Sequence, residues 1–285
     1  MSEENKLGAI LCPDCKKLIS ANAEVCPYCG LKNPNLWGLG IVLKKLFGGH
    51  VSLVPVIAVV CIGMFVLSLL LAPKAIFQSR GFFLFGFLSP DFNVLIKLGM
   101  TGKAAMSRDY WWTLITAIYL HGGLMHILFN VLWIRQLGPV VEDLYGISRS
   151  FLIFTLSGVF GYVVSSYFNI YFTIGASGSI FGLLGALVYY GRKRGGTFGK
   201  AIYQQTGQWA LVLFIIGFIM PGGIVNNFAH GGGFVGGYLS AVLFGFSEMK
   251  KENRTHQLLA IAAMTLTVAA FLLTLINKPY HQFIN

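Results

Sequence analysis

The stretch GASGSIFG, residues 175–182, places the hydroxyl of Ser177 between small residues at the start of an apolar segment. A hydroxyl in such surroundings is either hidden or used. In one interpretation the stretch is a close-packed helix start, whose glycines let a neighbouring helix approach. In the other interpretation Ser177 performs chemistry. The rest of the chain decides between the two.

The composition is that of a multi-pass membrane protein. Of the 285 residues, 55% are hydrophobic and only 11% are charged, whereas soluble domains carry roughly 25% charged residues. The formal charge of +11 would also suit a nucleic-acid-binding protein. The basic residues, however, lie between apolar runs, as the positive-inside rule produces. We therefore expect an integral protein of the plasma or inner membrane, with the lipid bilayer and not nucleic acid as its partner.

Seven apolar runs predict seven transmembrane helices. They cover residues 51–72, 111–137, 151–168, 177–190, 209–220, 226–246 and 257–276. The first is long enough to cross about 30 Å of hydrocarbon. Basic clusters follow the second, fourth and sixth runs. This pattern predicts a cytosolic amino terminus and a carboxyl terminus on the outer side.

Two Cys-x-x-Cys pairs precede the first span. Their thiols belong to Cys12, Cys15, Cys26 and Cys29. This spacing matches a four-thiolate zinc site. Disulfides are the alternative, but a cytosolic position keeps thiols reduced. We predict that residues 1–32 form a zinc-ribbon-like module in which a structural Zn²⁺ supplies most of the folding free energy.

Few polar side chains lie within the predicted spans. All ten acidic residues lie outside them. The polar residues that stand out inside them are His121, His126, Asn130, Ser177, Ser179 and His230. Intramembrane polar groups are functional candidates by default. Helix rise places Ser177, His230 and His126 roughly 22, 25 and 20 Å from the cytoplasmic ends of their spans, so we expect all three at one level.

Small residues line the two spans that carry Ser177 and His230. The stripes consist of Gly178, Gly182 and Gly185 on one span and of Gly233 and Gly237 on the other. Such stripes let helix backbones approach closely. His230 could then come within the distance at which a base activates the Ser177 hydroxyl. Phe181, one turn after Ser177, could stack beneath the imidazole.

His126 and Asn130 are four residues apart and project from one face of a helix. Two donors aimed at one point are what an oxyanion site requires. A single buried histidine is usually a core residue with a satisfied ring. The coincidence of four polar residues at one depth makes a purely structural role unattractive here.

At these motifs the sequence resembles the rhomboid family of intramembrane serine proteases. The resemblance covers roughly residues 51–246 and rests on GASG at 175–178, AHGGG at 229–233 and HILFN at 126–130. It implies a six-helix bundle to which a seventh transmembrane helix is added at the carboxyl end. The expected domain order is the module 1–32, a linker 33–50, the six-helix domain 51–246, and a cytosolic loop with the added helix in 247–285.

The resemblance also implies roles for the residues. Ser177 would be the nucleophile and His230 the general base, without an acidic third member and without a cofactor for catalysis. Asp91 and Asp109, in the loop after the first span, remain formal alternatives for an acid. His126, Asn130 and the Ser177 backbone N–H would bind the oxyanion. The supporting residues would be Phe181, Gly175, Gly178, Gly233, Gly237 and a structural His121 that hydrogen-bonds this loop.

One position departs from the family pattern. The family often has a Trp-Arg pair in the loop after the first span, whereas here Trp112 is followed by Thr113. That arginine stabilises the loop, so its replacement puts loop packing in doubt more than catalysis.

Three functions compete. The first is hydrolysis of transmembrane helices near the outer side of the membrane. The substrate would enter past the fifth span. The second is a catalytically inactive relative that acts as a membrane-protein chaperone or binding factor. The third is a transporter, which the absence of intramembrane carboxylates disfavours. A cytosolic partner of the zinc module, the natural substrate and the oligomeric state are not given by the sequence.

Overall fold

The computed structural model describes residues 9–12, 15, 17–20, 23–30, 52–73, 88–220 and 225–277. The chain divides into two compact units, Met1–Ser52 and Leu53–Asn285. The predicted linker, residues 33–50, lies outside the described residues.

The first unit contains a small hairpin. Strand β1 (Ala9–Leu11) pairs with β2 (Leu18–Ser20) in antiparallel register. Cys12 and Cys26 are buried with Ile19. A core with three buried side chains among the described residues is too small to stabilise a module by itself, and a bound metal is the ordinary means of stabilising one.

The described residues of the second unit are mostly helical. Seven long helices run through its described residues: α1 (Val54–Leu70), α5 (Leu124–Tyr145), α6 (Ile147–Tyr167), α7 (Ser177–Arg194), α8 (Gly196–Ile219), α9 (Asn227–Phe244) and α10 (Arg254–Asn277). Three short helices lie between α1 and α5, namely α2 (Phe92–Lys97), α3 (Lys103–Met106) and α4 (Thr113–Thr116), and a 3-10 turn follows at Ala117–Tyr119. Each predicted span therefore corresponds to one long helix.

Four of these helices, α5, α6, α8 and α10, are long and apolar enough to cross a membrane, judged by length and composition. Helix α1 is also apolar and slightly shorter. Several such helices in one chain are the pattern of a multi-pass integral membrane protein.

The predicted bounds of the second and fifth spans were wrong. Helix α5 begins at Leu124 instead of Trp111, because Gly123 adopts an extended conformation (φ 172°, ψ 167°) that interrupts the helix. His121 therefore precedes the helix. Helix α8 begins at Gly196 instead of Trp209, because a polar first half and an apolar second half form one helix. Hydropathy detects only the apolar half.

Helices α5, α7 and α9 run in the same direction. After α9, the Ser247 N–H donates to the Leu144 carbonyl at the end of α5 (2.7 Å). Near the end of α7, the Tyr190 hydroxyl donates to Glu248 (2.8 Å) and Arg194 forms an ion pair with the same carboxylate (3.0 Å). Because the last turns meet, the first turns of these helices share the opposite end of the bundle.

Glycines bring α7 and α9 into backbone contact. A Cβ at Gly233 would collide with the carbonyl of Gly178, and a Cβ at Gly237 would collide with the carbonyl of Gly182. The glycine stripes predicted on these helices are therefore their contact surface, since any side chain there would force the backbones apart.

The segment between α1 and α5 folds against the start of α7. Thr101 pairs with Thr173 in an isolated antiparallel bridge. Thr113, at the position where the family often has arginine, is fully buried. Its hydroxyl donates to the Tyr110 carbonyl (2.7 Å) and shares a hydrogen bond with the Thr101 hydroxyl (3.0 Å). The replacement of arginine thus leaves a satisfied, packed position.

Candidate active site

The polar residues singled out from the sequence lie at one end of the bundle. Ser177 is the first residue of α7, His126 lies in the first turn of α5 and His230 in the first turn of α9. Since these helices begin at the same end, three residues that are distant in the chain come to one level.

The His230 ring lies against α7 one turn after Ser177. It stacks on Phe181 with a centroid distance of 4.2 Å and an interplanar angle of 16°. Phe181 is four residues after Ser177 and so lies on the same helix face. His230 is buried, whereas Ser177 is half-buried, which leaves its hydroxyl accessible.

Among the described residues no hydrogen bond joins the Ser177 hydroxyl to His230, and the Nδ1 atom of His230 is buried without a partner. In the absence of substrate such contacts are often long and tighten when substrate binds. The two acids left open by the sequence contact other groups or solvent. Asp91 caps α2 through the N–H groups of Asn93 and Val94 (2.9 and 3.2 Å), and Asp109 is exposed.

The hydrogen bonding of His126 sets its tautomer. Its Nδ1 atom accepts from the Gly122 N–H (3.3 Å). A neutral imidazole that accepts at Nδ1 carries its proton at Nε2. A Cβ at Gly175 would collide with this Nε2 atom. The donor of His126 therefore faces the segment that leads into Ser177, and only a residue without a Cβ leaves room for the ring.

Asn130 lies one turn after His126 and is buried. Its side-chain amide donates to the His126 carbonyl (2.7 Å). That bond uses one of the two amide N–H groups and fixes the orientation of the side chain. The second N–H donates to no group among the described residues.

The backbone N–H groups at the amino end of α7 are further hydrogen-bond donors near Ser177. The N–H groups in the first turn of a helix are not used by the helix itself, and the first intrahelical bond of α7 runs from the Ile180 N–H to the Ala176 carbonyl (2.9 Å). The N–H of Ser177 belongs to this set. The partial positive charge of a helix amino end favours a developing anion.

His121 reaches the site only through its neighbour. Its ring lies 5.0 Å from that of His126. Within the described part of the chain both ring nitrogens are buried and neither makes a hydrogen bond of ordinary geometry, so the hydrogen bond predicted from His121 to the outer loop stays a prediction. Helix α5 starts after His121, so the His121 ring belongs to the bend that precedes this helix.

Two residues of the site were missed in the sequence. The Tyr162 hydroxyl, on α6, donates to the Gly175 carbonyl (2.6 Å). Asn226 caps α9, because its side chain accepts from the Ala229 N–H (3.0 Å). An asparagine just before an apolar helix is a common capping signal, whereas a tyrosine inside an apolar run gives no signal of its partner.

The four cysteines form a separate candidate metal centre in the first unit. Their sulfur atoms all lie within 4.8 Å of one another, with Cys12 and Cys29 3.6 Å apart and Cys15 and Cys26 3.7 Å apart. A tetrahedral zinc ion with bonds of about 2.3 Å separates its sulfurs by about 3.8 Å. A disulfide needs about 2.05 Å. The distances therefore fit zinc and exclude disulfides in this conformation.

The charge state of Cys26 also suits a metal ligand. Burial raises the pKa of its thiol, but donation from the backbone N–H groups of Tyr28 and Cys29 outweighs this and brings the pKa down to about 7. The thiolate, which is the form that binds metal, is thus accessible near neutral pH.

Comparison with known proteins identifies relatives of the domain that carries these residues. The model of the rhomboid domain matches residues 108–247. Rhomboid protease GluP of Bacillus subtilis is 31% identical over 194 residues, which are 68% of this chain and 38% of the relative. RHOMBOID-like protein 1 of Arabidopsis thaliana is 34% identical over 210 residues, 67% of this chain and 53% of the relative.

A shorter relative is matched over most of its length. Putative rhomboid protease YdcA of Bacillus subtilis is 32% identical over 167 residues, 56% of this chain and 80% of the relative. The chain spans less than two thirds of the length of the two relatives named before it.

Proposed function

Because the chain belongs to the rhomboid family, we propose that it is an intramembrane serine endopeptidase that cleaves transmembrane helices of other proteins. One observation carries the proposal. The accessible hydroxyl of Ser177 starts a helix whose next turn holds the His230 ring by stacking on Phe181. The nucleophile and the ring of the base therefore both lie at the same face of α7, at one end of the bundle.

In the proposed reaction, the Ser177 oxygen attacks the carbonyl carbon of the scissile peptide bond while His230 takes the hydroxyl proton. The buried Nδ1 atom leaves Nε2 as the nitrogen that acts. His230 then gives the proton to the leaving amine as the C–N bond breaks. Water, deprotonated by the same imidazole, hydrolyses the acyl-enzyme and restores the serine.

The oxyanion that forms in each step would be bound by three donors. They are the Ser177 backbone N–H, the Nε2–H of His126 and the second amide N–H of Asn130. Each is fixed before the substrate arrives, by the helix start or by a hydrogen bond at the other side of the group. Donors that need no reorganisation are the most effective stabilisers of developing charge.

The packing of α8 supports access for a transmembrane substrate beside this helix. Its buried residues are the small Gly199, Thr206, Ala210 and Gly217. The Trp209 ring contacts Trp133 of α5 edge to face at 5.6 Å. Separation of α5 and α8 would therefore break few contacts. The basic residues Arg192–Arg194 end α7 away from the site, which favours a site at the outer side of the membrane.

In the first unit, Cys12, Cys15, Cys26 and Cys29 would hold a structural Zn²⁺. Its ligand-closed tetrahedral set leaves no open position for substrate, so the ion would stabilise the hairpin and take no part in peptide hydrolysis.

The test compares the wild type with Ser177→Ala and His230→Ala in liposomes that contain a generic transmembrane substrate. We expect both substitutions to abolish cleavage. Ser179→Ala is the matched control, because Ser179 lies on the same helix but is buried against Gly158. The control should cleave at the wild-type rate. Equal cleavage by wild type and Ser177→Ala would refute the protease and favour an inactive relative that binds membrane proteins.

A further inference from the structure

The segment that leads into Ser177 is fixed to three other parts of the chain. Thr173 exchanges two backbone hydrogen bonds with Thr101 (2.8 and 3.2 Å). The Gly175 N–H donates to the Ala117 carbonyl (2.9 Å), and the Gly175 carbonyl accepts from Tyr162 (2.6 Å). The nucleophile is therefore held by residues that do not belong to α9.

His230 depends on a different anchor. It lies in the first turn of α9, and its own N–H donates to the carbonyl of the capping residue Asn226 (3.1 Å). The Asn226 side-chain oxygen accepts a hydrogen bond from the N–H of Ala229, the residue before His230 (3.0 Å). The position of the imidazole along the helix axis thus follows the position of Asn226.

The amide nitrogen of Asn226 connects these two anchors. It donates to the hydroxyl of Ser165 on α6 (2.6 Å) and to the hydroxyl of Thr173 (2.9 Å). Both hydroxyl residues are buried. Hydrogen bonds shielded from water in this way are stronger and hold geometry better than exposed ones. One side chain therefore caps the base-bearing helix and also binds the strand-like segment that positions the nucleophile.

We propose that Asn226 and Thr173 are positioning residues that set the distance between the Ser177 hydroxyl and the His230 imidazole. The proposal rests on the proposed function of the dyad. Neither residue touches substrate; each acts by holding the first turn of α9 against the segment 173–177. The glycine contacts of α7 and α9 fix how closely the helices approach, and the Asn226–Thr173 bond fixes how far α9 slides along α7.

The experiment separates positioning from stability. Thr173→Val removes the acceptor hydroxyl but keeps the shape and the backbone pairing with Thr101. Thr173→Ser restores the hydroxyl. Thr155→Val is the matched control, because the Thr155 hydroxyl on α6 is buried without a partner among the described residues. Asn226→Ser is a second variant, since serine still caps a helix but is too short to reach Thr173.

Three quantities are measured for each variant: the rate at which a fluorophosphonate labels Ser177, kcat and KM for a transmembrane substrate, and the unfolding midpoint in detergent. For Thr173→Val and Asn226→Ser we expect labelling and kcat to fall about 10-fold, with KM within about twofold, as a loosened reactive geometry predicts. Thr173→Ser should recover to within about twofold of wild type. Thr155→Val should match wild type.

Wild-type labelling by folded Thr173→Val and Asn226→Ser would overturn the positioning role. So would an equal loss in Thr155→Val, since that would indicate general loosening of the core. If wild-type Ser177 is not labelled at all, the proposed function fails and this inference falls with it. The two failures are thereby distinguished.

Discussion

Two of the helices that contact α7, namely α8 and α9, pack against it in different ways. Helix α9 meets α7 backbone to backbone, with Gly233 and Gly237 pressed onto carbonyls of α7. Helix α8 approaches α7 closely at the far end, where Gly191 meets Gly199. Near the site it contacts α9 at Gly217 and Phe214 and leaves most of its other side chains exposed, with Phe218 70% and Ile219 74% accessible.

The difference separates two requirements of the proposed reaction. The base must be held within hydrogen-bond reach of the nucleophile, which needs contacts that cannot yield. A transmembrane substrate must reach the same point sideways, which needs a neighbour that can move. Glycine-to-backbone contact provides the first, and sparse packing of small residues provides the second.

The largest expected effect comes from a side chain placed in the α7–α9 contact. Gly237→Val would drive a branched side chain into the backbone of Gly182. We expect it to abolish cleavage and to destabilise the fold by about 3 kcal/mol, the upper range for overpacking. Gly207→Val on α8 is the matched control, because a Cβ at this position would meet no described residue within 4 Å.

Both variants are checked by thermal unfolding in detergent and by cleavage in liposomes. Gly207→Val should cleave within about twofold of wild type, as exposed substitutions do. Comparable losses in the two variants would erase the proposed difference between α8 and α9.

A smaller effect should follow from loss of the stack beneath His230. Phe181→Leu keeps most of the volume and removes the aromatic face, so we expect kcat to fall about 3- to 10-fold, as the energy of an aromatic pair suggests. Phe218→Leu on the exposed part of α8 should have no effect. A Phe181→Leu variant with wild-type kcat would show that the stack observed at 4.2 Å does not orient the base.

The aromatic contact of α8 offers a change in the other direction. Trp209→Leu removes the edge-to-face contact with Trp133. We expect cleavage of a transmembrane substrate to rise about twofold, since an aromatic pair that restrains α8 is lost. Labelling of Ser177 by a small phosphonate should stay constant, because a small reagent does not need α8 to move. Slower cleavage with constant labelling would place substrate access elsewhere.

The smallest effect on the site is expected from the first unit, which is compact by itself. Cys12→Ser should abolish zinc binding, measured by metal analysis of the purified protein, because a four-thiolate site loses a ligand. Cleavage should remain within about twofold of wild type, since the dyad belongs to the other unit. Unchanged zinc stoichiometry would reject the metal site. Loss of cleavage would mean that the module controls the dyad.

Hydropathy and helix rise were sufficient to predict much of this architecture. Each of the seven apolar runs corresponds to one long helix, and the glycine stripes of α7 and α9 are contact surfaces because only small residues permit that approach. The common level of Ser177, His126 and His230 followed from the regular rise of 1.5 Å per residue. These features depend on local pattern alone.

Features that depend on distant partners could not be predicted. The break at Gly123 lies inside the second predicted span, so the hydropathy of that span predicted a helix across it. Thr101, Thr113 and Thr173 carry no signal of their partners in the sequence. Their contacts, a hydroxyl bond between Thr113 and Thr101 and a backbone bridge between Thr101 and Thr173, form only on folding. The cap at Asn226 has a local signal, but its bonds to α6 and to Thr173 join segments more than 50 positions apart.

The central claim is that Ser177, and not the neighbouring Ser179, is the nucleophile activated by His230. Mass spectrometry of the protein after reaction with a fluorophosphonate tests it most directly, because the two serines lie on one peptide and each serves as the control for the other. We predict a phosphonate adduct on Ser177 in the wild type and no adduct in His230→Ala. An adduct on Ser179, or equal labelling of Ser177 in both proteins, would contradict the account.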